Sequence, residues 1–363
     1  MKAAVMRKNH APLVIEEVQI DRPGSHEVLV RTAASGICHS DLHVIEGGLP
    51  MPPPTILGHE PAGVVEAVGD EVEGFEPGDH VIGCISAFCG QCEMCLRGKP
   101  YLCNGGGSFQ RAADAKPRLS QKGVAIPQFA NLSSFAEKML THERALVKIR
   151  PEMPLDRAAL IGCGVTTGLG AALNTVRVEP GSSAVVIGCG GVGLSALQGC
   201  RIAGASRIVA VDNQPWKLEL AKSLGATDLV DTNDGDPLMQ VFGLLGGGAD
   251  YAFECIGLEA TVQQAVGMIR KSGTAVLVGV VPVGKLVPLH IADITLQQKT
   301  VMGSMMGSNR FRIDMPRYVD FYLDGRLRLD EMISARIPLE GVNDALEGLR
   351  QGKVARSVIV FDA

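Results

Sequence analysis

Short apolar runs broken by glycine and proline dominate the first half of the chain. Residues 27–33, 63–68 and 80–84 read as β-strands, punctuated by Gly24, Gly36, Gly58, Gly69, Gly78 and Gly83 at irregular intervals. That texture predicts an antiparallel, partly barrel-like β domain. Near Asp156 it changes, and residues 158–161 and 167–173, rich in small side chains, read as helical. Residues 184–187 form an unbroken apolar strand, the mark of burial on both faces. Strands at 208–211, 229–230, 251–254 and 275–281 then alternate with helices at 195–203, 217–224 and 261–269. Short connections between alternating elements predict parallel βαβ units in a doubly wound sheet. After Val281 the alternation stops; 315–323 and 342–350 read as amphipathic helices and 357–361 as a last strand. That strand lies too near the end to begin a third domain, so the C-terminal segment is expected to rejoin the first. The expected division is 1–164 with 304–363, and an inserted nucleotide-binding domain at 165–303.

Bulk properties narrow the class further. A chain of 363 residues with 46% hydrophobic content can bury two cores, and 44 glycines suit many tight βα turns. Net charge is −5 with Lys and Arg dispersed, so neither a nucleic acid nor an anionic membrane is an expected partner. The longest apolar stretches are strand-length or glycine-broken, so no bilayer-spanning segment is expected. Met1 leads directly into a strand-like start without a signal peptide, which points to the cytoplasm.

Four cysteines change the picture most. Cys89, Cys92, Cys95 and Cys103 follow the pattern C-x2-C-x2-C-x7-C in a lobe of about residues 86–104. Thiolates so crowded suit Zn2+, which takes four sulfurs tetrahedrally at about 2.3 Å and leaves no position for substrate. Two disulfides or an iron–sulfur cluster use the same residues. Ten cysteines in a cytosolic setting favour metal over disulfides, and a structural zinc is the preferred reading.

A second motif follows the apolar strand 184–187. Gly188-Cys189-Gly190-Gly191-Val192-Gly193 opens a helix expected to begin near Leu194. Gly188 permits the tight turn, Gly190 lets a pyrophosphate approach the backbone, and Gly193 lets helix and strand close up. The helix N-terminus offers N–H groups to phosphate. Asp212 ends the next strand, nineteen residues beyond Gly193, where a carboxylate accepts hydrogen bonds from the adenosine ribose and repels a 2′-phosphate. Asn213 and Gln214 bring no cation, so NAD is expected rather than NADP. The competing role for Asp212 is a cap on the following helix.

Cys38, His59 and Cys163 are further ligand candidates, each with a glycine within two positions: Gly36-Ile37-Cys38-His39-Ser40-Asp41, Gly58-His59-Glu60 and Gly162-Cys163-Gly164. Spacing alone does not bring them together, and free cysteines are commonly small buried hydrophobes. These segments, with Gly63, Val68-Gly69, the four-cysteine lobe and the loop at 188–193, resemble the zinc-dependent medium-chain alcohol dehydrogenases along the whole chain. The resemblance implies a Rossmann doubly wound parallel sheet beside a mainly β, GroES-like catalytic domain. It implies two zincs per chain, with Cys38, His59 and Cys163 on the catalytic one and its fourth position open. Asp41 then orients His59, and Glu60 is the acid near the metal. Ser40 holds the substrate oxygen and starts a proton relay, through the nicotinamide ribose, to His43.

For the coenzyme the resemblance implies Gly188, Gly190, Gly191, Val192 and Gly193 at the phosphates, Asp212 and Lys217 at the adenosine ribose, and Arg356 at the pyrophosphate. His39 stands where the family often has Arg, a weaker and pH-dependent cation. The expected reaction is reversible hydride transfer between NAD and a primary or secondary alcohol, giving aldehyde or ketone. Ile85 and Ala130, with Phe129 beside the latter, are expected to leave room for bulky or aromatic alcohols. The long segment 104–128 resembles that of dimeric members, so a homodimer is expected, with a homotetramer the other possibility. A glutathione-dependent formaldehyde dehydrogenase is the rival activity, with Arg111 and Arg118 as candidate anchors for the glutathione carboxylates. A non-catalytic zinc and dinucleotide sensor is the rival class, although it has no need of Ser40 and His43.

Overall fold

The structure, a computed structural model, describes residues 1–362. They form two units: Met1–Cys163, Arg310–Gly325 and Met332 onward make the first, and Gly164–Asn309 with Arg326–Glu331 the second.

In the first unit the main sheet runs in the order Leu146–Lys148, His80–Gly83, Glu60–Val68, Glu27–Gly36, Arg356–Val360, Ile333–Ile337, with Lys138–His142 also paired to Glu27–Gly36. All its pairings are antiparallel except that of the last two strands. Alternation along these strands buries Val28, Val30, Val65 and Val81 in one apolar cluster with Leu132, Met139 and Leu146. Two irregularities between Glu27–Gly36 and Glu60–Val68 shift the register so that Gly36 faces Glu60. Such bulges re-aim side chains, and here they deliver Glu60 beside the candidate ligands. The C-terminal strand pairs Val358 with Gly36. Helix Val342–Arg350 buries Val342, Ala345, Leu346 and Leu349, the i, i+3, i+4, i+7 stripe that packs on this core.

The second unit holds a six-stranded parallel sheet in the order Asp228–Asp231, Arg207–Asp212, Ser183–Ile187, Ala249–Glu254, Ile269–Leu277, Thr300–Gly303. Numbered along the chain that order is 3-2-1-4-5-6, the dinucleotide-binding arrangement. Strand ends exceed the sequence expectations by a residue or two, but three features differ in kind. Helix Pro237–Leu245, started by the Asp236 carboxylate accepting from Leu238 N at 2.8 Å, was not expected. Nor was the edge strand Thr300–Gly303. The strong strand expected at 275–281 begins at Ile269 and ends at Leu277.

The chain leaves the second unit later than the expected residue 304. The 3-10 turn Met305–Ser308 packs Gly307 on Gly170, and Ser304 and Ser308 hydroxyls meet Thr175 Oγ1 at 2.8 and 2.9 Å. Residues Arg326–Glu331 return because Gln198 grips Arg328 at both backbone groups, at 2.8 and 3.0 Å.

One helical stretch, Leu155–Thr175, departs from the expectation of broken apolar runs. It has 21 residues and a mean hydropathy of 1.3, long and apolar enough to cross a membrane, yet 83% of that window is buried inside the fold. Gly168 lies against the backbone of Val192 and Ala196, so its glycines serve close packing and do not break the helix.

Candidate metal centres and nucleotide loop

Cys89, Cys92, Cys95 and Cys103 gather with their sulfurs within 4.8 Å of one another. The Cys92–Cys95 and Cys92–Cys103 sulfur separations are 3.5 and 3.9 Å. Sulfurs about 2.3 Å from a tetrahedral centre stand about 3.8 Å apart, so the cluster fits Zn2+ as it lies. Backbone N–H groups converge on the sulfurs: Cys89 N and Gly105 N each donate to Cys103 Sγ at 3.2 Å, and Cys92 N donates to Cys89 Sγ at 3.3 Å. N–H groups of Cys95 and Asn104 hold the Cys92 thiol down at about 6, while burial and neighbouring sulfurs push Cys95 up to about 12. The guanidinium of Arg144 donates to the Cys89 carbonyl and ties the lobe to the β-core.

The second cluster is assembled from distant segments. Cys38 caps helix His39–Ile45, and Asp41 in its first turn accepts from Cys38 N at 3.0 Å. Asp41 Oδ1 also accepts from Gly58 N at 3.1 Å and meets His59 Nδ1 at 3.2 Å, so one buried carboxylate sets both segments. Gly58 has φ +87°, and a Cβ there would lie 2.6 Å from Phe135 N, so only glycine fits before His59. Cys163 lies in a π-helical turn, Ile161–Val165, inside the long helix. Such turns often mark functional sites.

The donor atoms of Cys38, His59, Glu60 and Cys163 all lie within 4.8 Å of one another and all four residues are buried. With Nδ1 on Asp41, His59 Nε2 is buried without a hydrogen-bond partner, a ring nitrogen placed for a metal once it gives up its proton. Two sulfurs and one imidazole make a zinc set with an open position. A hydrogen bond from Cys163 outweighs burial and holds Cys38 well below the usual thiol range, and Cys163 is pushed well above it. Burial pulls His59 down, but the Asp41 carboxylate and the Cys38 thiolate outweigh it and raise the imidazole to about 10.

The flanking groups are equally specific. Arg356, expected to meet pyrophosphate, is buried and its guanidinium pairs with the Glu60 carboxylate. Ser40 Oγ is 3.8 Å from Cys38 Sγ, and His43 follows at i+3 on the same helix face. His39, at the start of that helix, is exposed. Phe129, expected only beside a lining position, stands edge-to-face on His59 with centroids 5.3 Å apart and planes at 86°. Seventy positions separate the two, and no motif couples them. Ile85, expected to line a substrate pocket, packs partly buried on the cluster of Val28, Leu132 and Leu146. Arg111 and Arg118 are also corrected: Arg118 Nε binds Glu27 at 2.7 Å, and Arg111 binds Glu27 and Asp21 at 2.5 and 2.7 Å. Both guanidiniums are consumed inside the fold.

The nucleotide loop follows strand Ser183–Ile187, and helix Gly191–Ala203 begins three residues before the expected Leu194. Gly188 has φ +91°, and a Cβ on Gly193 would collide with the Gly188 carbonyl. A Cβ on Gly190 would meet nothing within 4 Å, so the backbone there is open to a ligand. No side chain caps the helix, which leaves its first N–H groups for an anion. Gly191 and Val192 occupy that first turn. Asp212, 8% exposed, accepts from Cys189 N at 2.7 Å and Gln214 N at 3.0 Å. It therefore pins the loop and the turn before helix Pro215–Ser223 without capping that helix, and each oxygen retains acceptor capacity for a ribose. Lys217 lies on helix Pro215–Ser223 with Nζ 5.6 Å from the Trp216 ring centre.

Comparison with known proteins matches the same regions. Residues 24–151 match the alcohol dehydrogenase GroES-like domain and residues 191–324 the zinc-binding dehydrogenase domain. An alcohol dehydrogenase class-3 from Myxine glutinosa is 38% identical, covering 99% of this chain and 97% of its own. Among solved structures, an alcohol dehydrogenase zinc-binding domain protein from Burkholderia ambifaria is 36% identical with a TM-score of 0.95, covering 100% of this chain and 99% of its own. Benzyl alcohol dehydrogenase from Acinetobacter calcoaceticus is 32% identical with a TM-score of 0.94, covering 99% of each chain.

Proposed function

The chain belongs to the zinc-dependent alcohol dehydrogenases, and we propose from that membership how its own residues carry the reaction. The protein is an NAD-dependent zinc oxidoreductase that interconverts alcohols with aldehydes or ketones. Zinc chemistry is assigned to the first unit and NAD binding to the second. Bound zinc braces the four-cysteine lobe at one site and supplies Lewis acidity toward the alcohol oxygen at the other, while NAD supplies the hydride acceptor. Cys38, His59 and Cys163 hold the catalytic metal, and Asp41 keeps the proton on His59 Nδ1 so that Nε2 stays a ligand. Ser40 Oγ takes the alcohol proton and passes it toward His43. Glu60, leashed by Arg356, sits where it can exchange with the open ligand position. The N–H groups of Gly190, Gly191, Val192 and Gly193 cradle the pyrophosphate, with His39 as a supporting cation. Asp212 and Lys217 take the adenosine ribose.

A single observation carries the reading: the partnerless, buried Nε2 of His59 facing two cysteine sulfurs. Elemental analysis should find two zincs per chain, and benzyl alcohol with NAD should turn over. Two zincs without turnover of any alcohol would leave the sensor reading standing.

A bulky or aromatic primary alcohol is the proposed substrate class. The benzyl alcohol dehydrogenase likeness and the Phe129 ring beside His59 support it. The rival, hydroxymethylglutathione, lacks its expected anchors, since Arg111 and Arg118 are both engaged. A panel of both substrates decides. We also propose a cytoplasmic homodimer. The edge strand Thr300–Gly303 and the exposed Val283, Leu286 and Leu296 support the dimer, and light scattering tests it.

A further inference from the structure

A strained turn stands beside the metal ligands. Ala130, Asn131 and Ser133 all adopt left-handed backbone angles, with φ +54°, +59° and +57°. Asparagine tolerates that region, but alanine and serine enter it rarely, and such residues persist only where the surroundings over-determine them. Here the surroundings do. Ser133 Oγ accepts from Phe129 N at 3.0 Å and donates to the Ile56 carbonyl at 2.7 Å. Thr141 Oγ1 donates to the Asn131 carbonyl at 2.8 Å, and Gln128 Nε2 donates to the Leu140 carbonyl at 3.0 Å. Directly after the turn, Ser134 N donates to the Gly58 carbonyl and Phe135 N to that of Leu57, both at 3.0 Å. One hydroxyl thus joins Phe129 to the segment Ile56-Leu57-Gly58 that presents His59. Asp41 holds the buried imidazole through one hydrogen bond, and the Phe129 ring, perpendicular with its centroid 5.3 Å away, packs against the same imidazole.

We propose that the turn at 129–133 is a positioning device for the metal site. Ser133 locks the turn, and the Phe129 ring, so locked, fixes the plane of His59. The inference rests on His59 being a zinc ligand. It makes Ser133 a positioning residue that acts through Phe129 without touching metal or substrate.

The experiment is a chelator challenge on zinc-loaded protein, following release of the two zincs separately. In the parent, a faster phase reports the catalytic zinc and a slower one the four-cysteine zinc. Ser133→Ala and Phe129→Leu should each speed the faster phase about two- to tenfold, the range that one aromatic pair supplies. The slower phase should be untouched. The double variant should lose zinc no faster than Phe129→Leu alone, because both changes act on one ring. Cobalt(II) placed in the catalytic site should show altered visible bands in both single variants. Parental release rates and cobalt spectra in both variants, or strictly additive effects, would overturn the proposal. A parent with no exchangeable zinc would instead overturn the assignment of His59 as a ligand. Should Ser133→Ala fail to fold, Phe129→Leu, which keeps every hydrogen bond of the turn, decides alone.

Discussion

The two cysteine clusters, both proposed to hold zinc, are built with opposite economies of sequence. The four-cysteine lobe draws its ligands from Cys89 to Cys103, three of them half-buried, and steadies the sulfurs with backbone N–H groups. The other cluster draws on positions 38, 59 and 163, buries every ligand, and surrounds them with the side chains of Asp41, Glu60, Arg356 and Phe129. Backbone donors come with any tight turn, so the lobe needs little beyond its cysteines and glycines. Side-chain donors must be delivered by separate strands and helices, so the catalytic cluster depends on the whole first unit. A closed structural site can be local. A site that must keep one position open is held by the surrounding fold.

The largest expected effect tests the local half of that contrast. Cys103→Ser replaces a thiolate ligand, on which two backbone N–H groups converge, with a neutral hydroxyl that is a poor zinc ligand. Structural zinc contributes folding free energy directly, about 10–16 kcal/mol in small zinc-binding peptides. The variant should lose one zinc and drop its melting temperature by many degrees. A variant that melts like the parent with two zincs would show that the lobe folds without its metal.

Next in size is Ser40→Ala, which removes the hydroxyl beside Cys38 while leaving both ligand sets intact. Alcohol oxidation should fall about 10²-fold or more, the scale of a general acid–base contribution. Both zincs and the coenzyme affinity should remain. A parental rate would remove Ser40 from the proton path.

Asp41→Asn comes third and separates the clusters most cleanly. An amide still reaches His59 and Gly58 but loses the charge that fixes the imidazole. Loss of such a partner typically costs 10- to 100-fold in metal affinity. Equilibrium zinc competition should show that loss at one site only. Equal weakening of both zincs would mean that Asp41 supports the fold and not the ligand.

Legibility in the sequence follows the same contrast. C-x2-C-x2-C and the glycine loop are local, so their chemistry can be read from spacing. The alternation of strand and helix was legible because the second unit buries its strands on both faces. Helix Pro237–Leu245 escaped because its apolar residues run nearly unbroken, and strand Thr300–Gly303 because an edge strand of four residues carries little pattern. Cys38, His59 and Cys163 could be named as candidates from their residue types but joined into one site only through resemblance, since the register shifts and the π-turn leave no periodic trace. Arg356 on Glu60 and Phe129 on His59 are contacts of tertiary structure alone. For Asp212 the competing role as a helix cap does not hold, because Gln214 is the N-cap of helix Pro215–Ser223 and no side chain caps it, while the Asp212 carboxylate serves Cys189 N and Gln214 N with acceptor capacity left.

The finest test of the contrast is the pH dependence of the catalytic zinc, read as a slope. His59 is raised to about 10, because Asp41 and the Cys38 thiolate outweigh burial, and the Cys163 thiol is pushed well above its usual value. Both groups bind metal only when deprotonated at the ligand atom, so below about pH 10 each zinc that enters must expel the proton on His59 and the proton on Cys163. Cys38, held well below the usual thiol range, contributes none near neutrality. The sign follows: affinity should rise with pH, by about tenfold per expelled proton for each pH unit. Between pH 7 and 9 the catalytic site should therefore show a slope near two. Asp41→Asn should lower that slope, because the charge that keeps His59 protonated is gone. The measurement is competition against a chelator of known proton affinity, with the four-cysteine zinc left in place. A slope of zero in the parent would show that the cluster carries no protons to expel, and that its charged side chains do not distinguish it from the lobe.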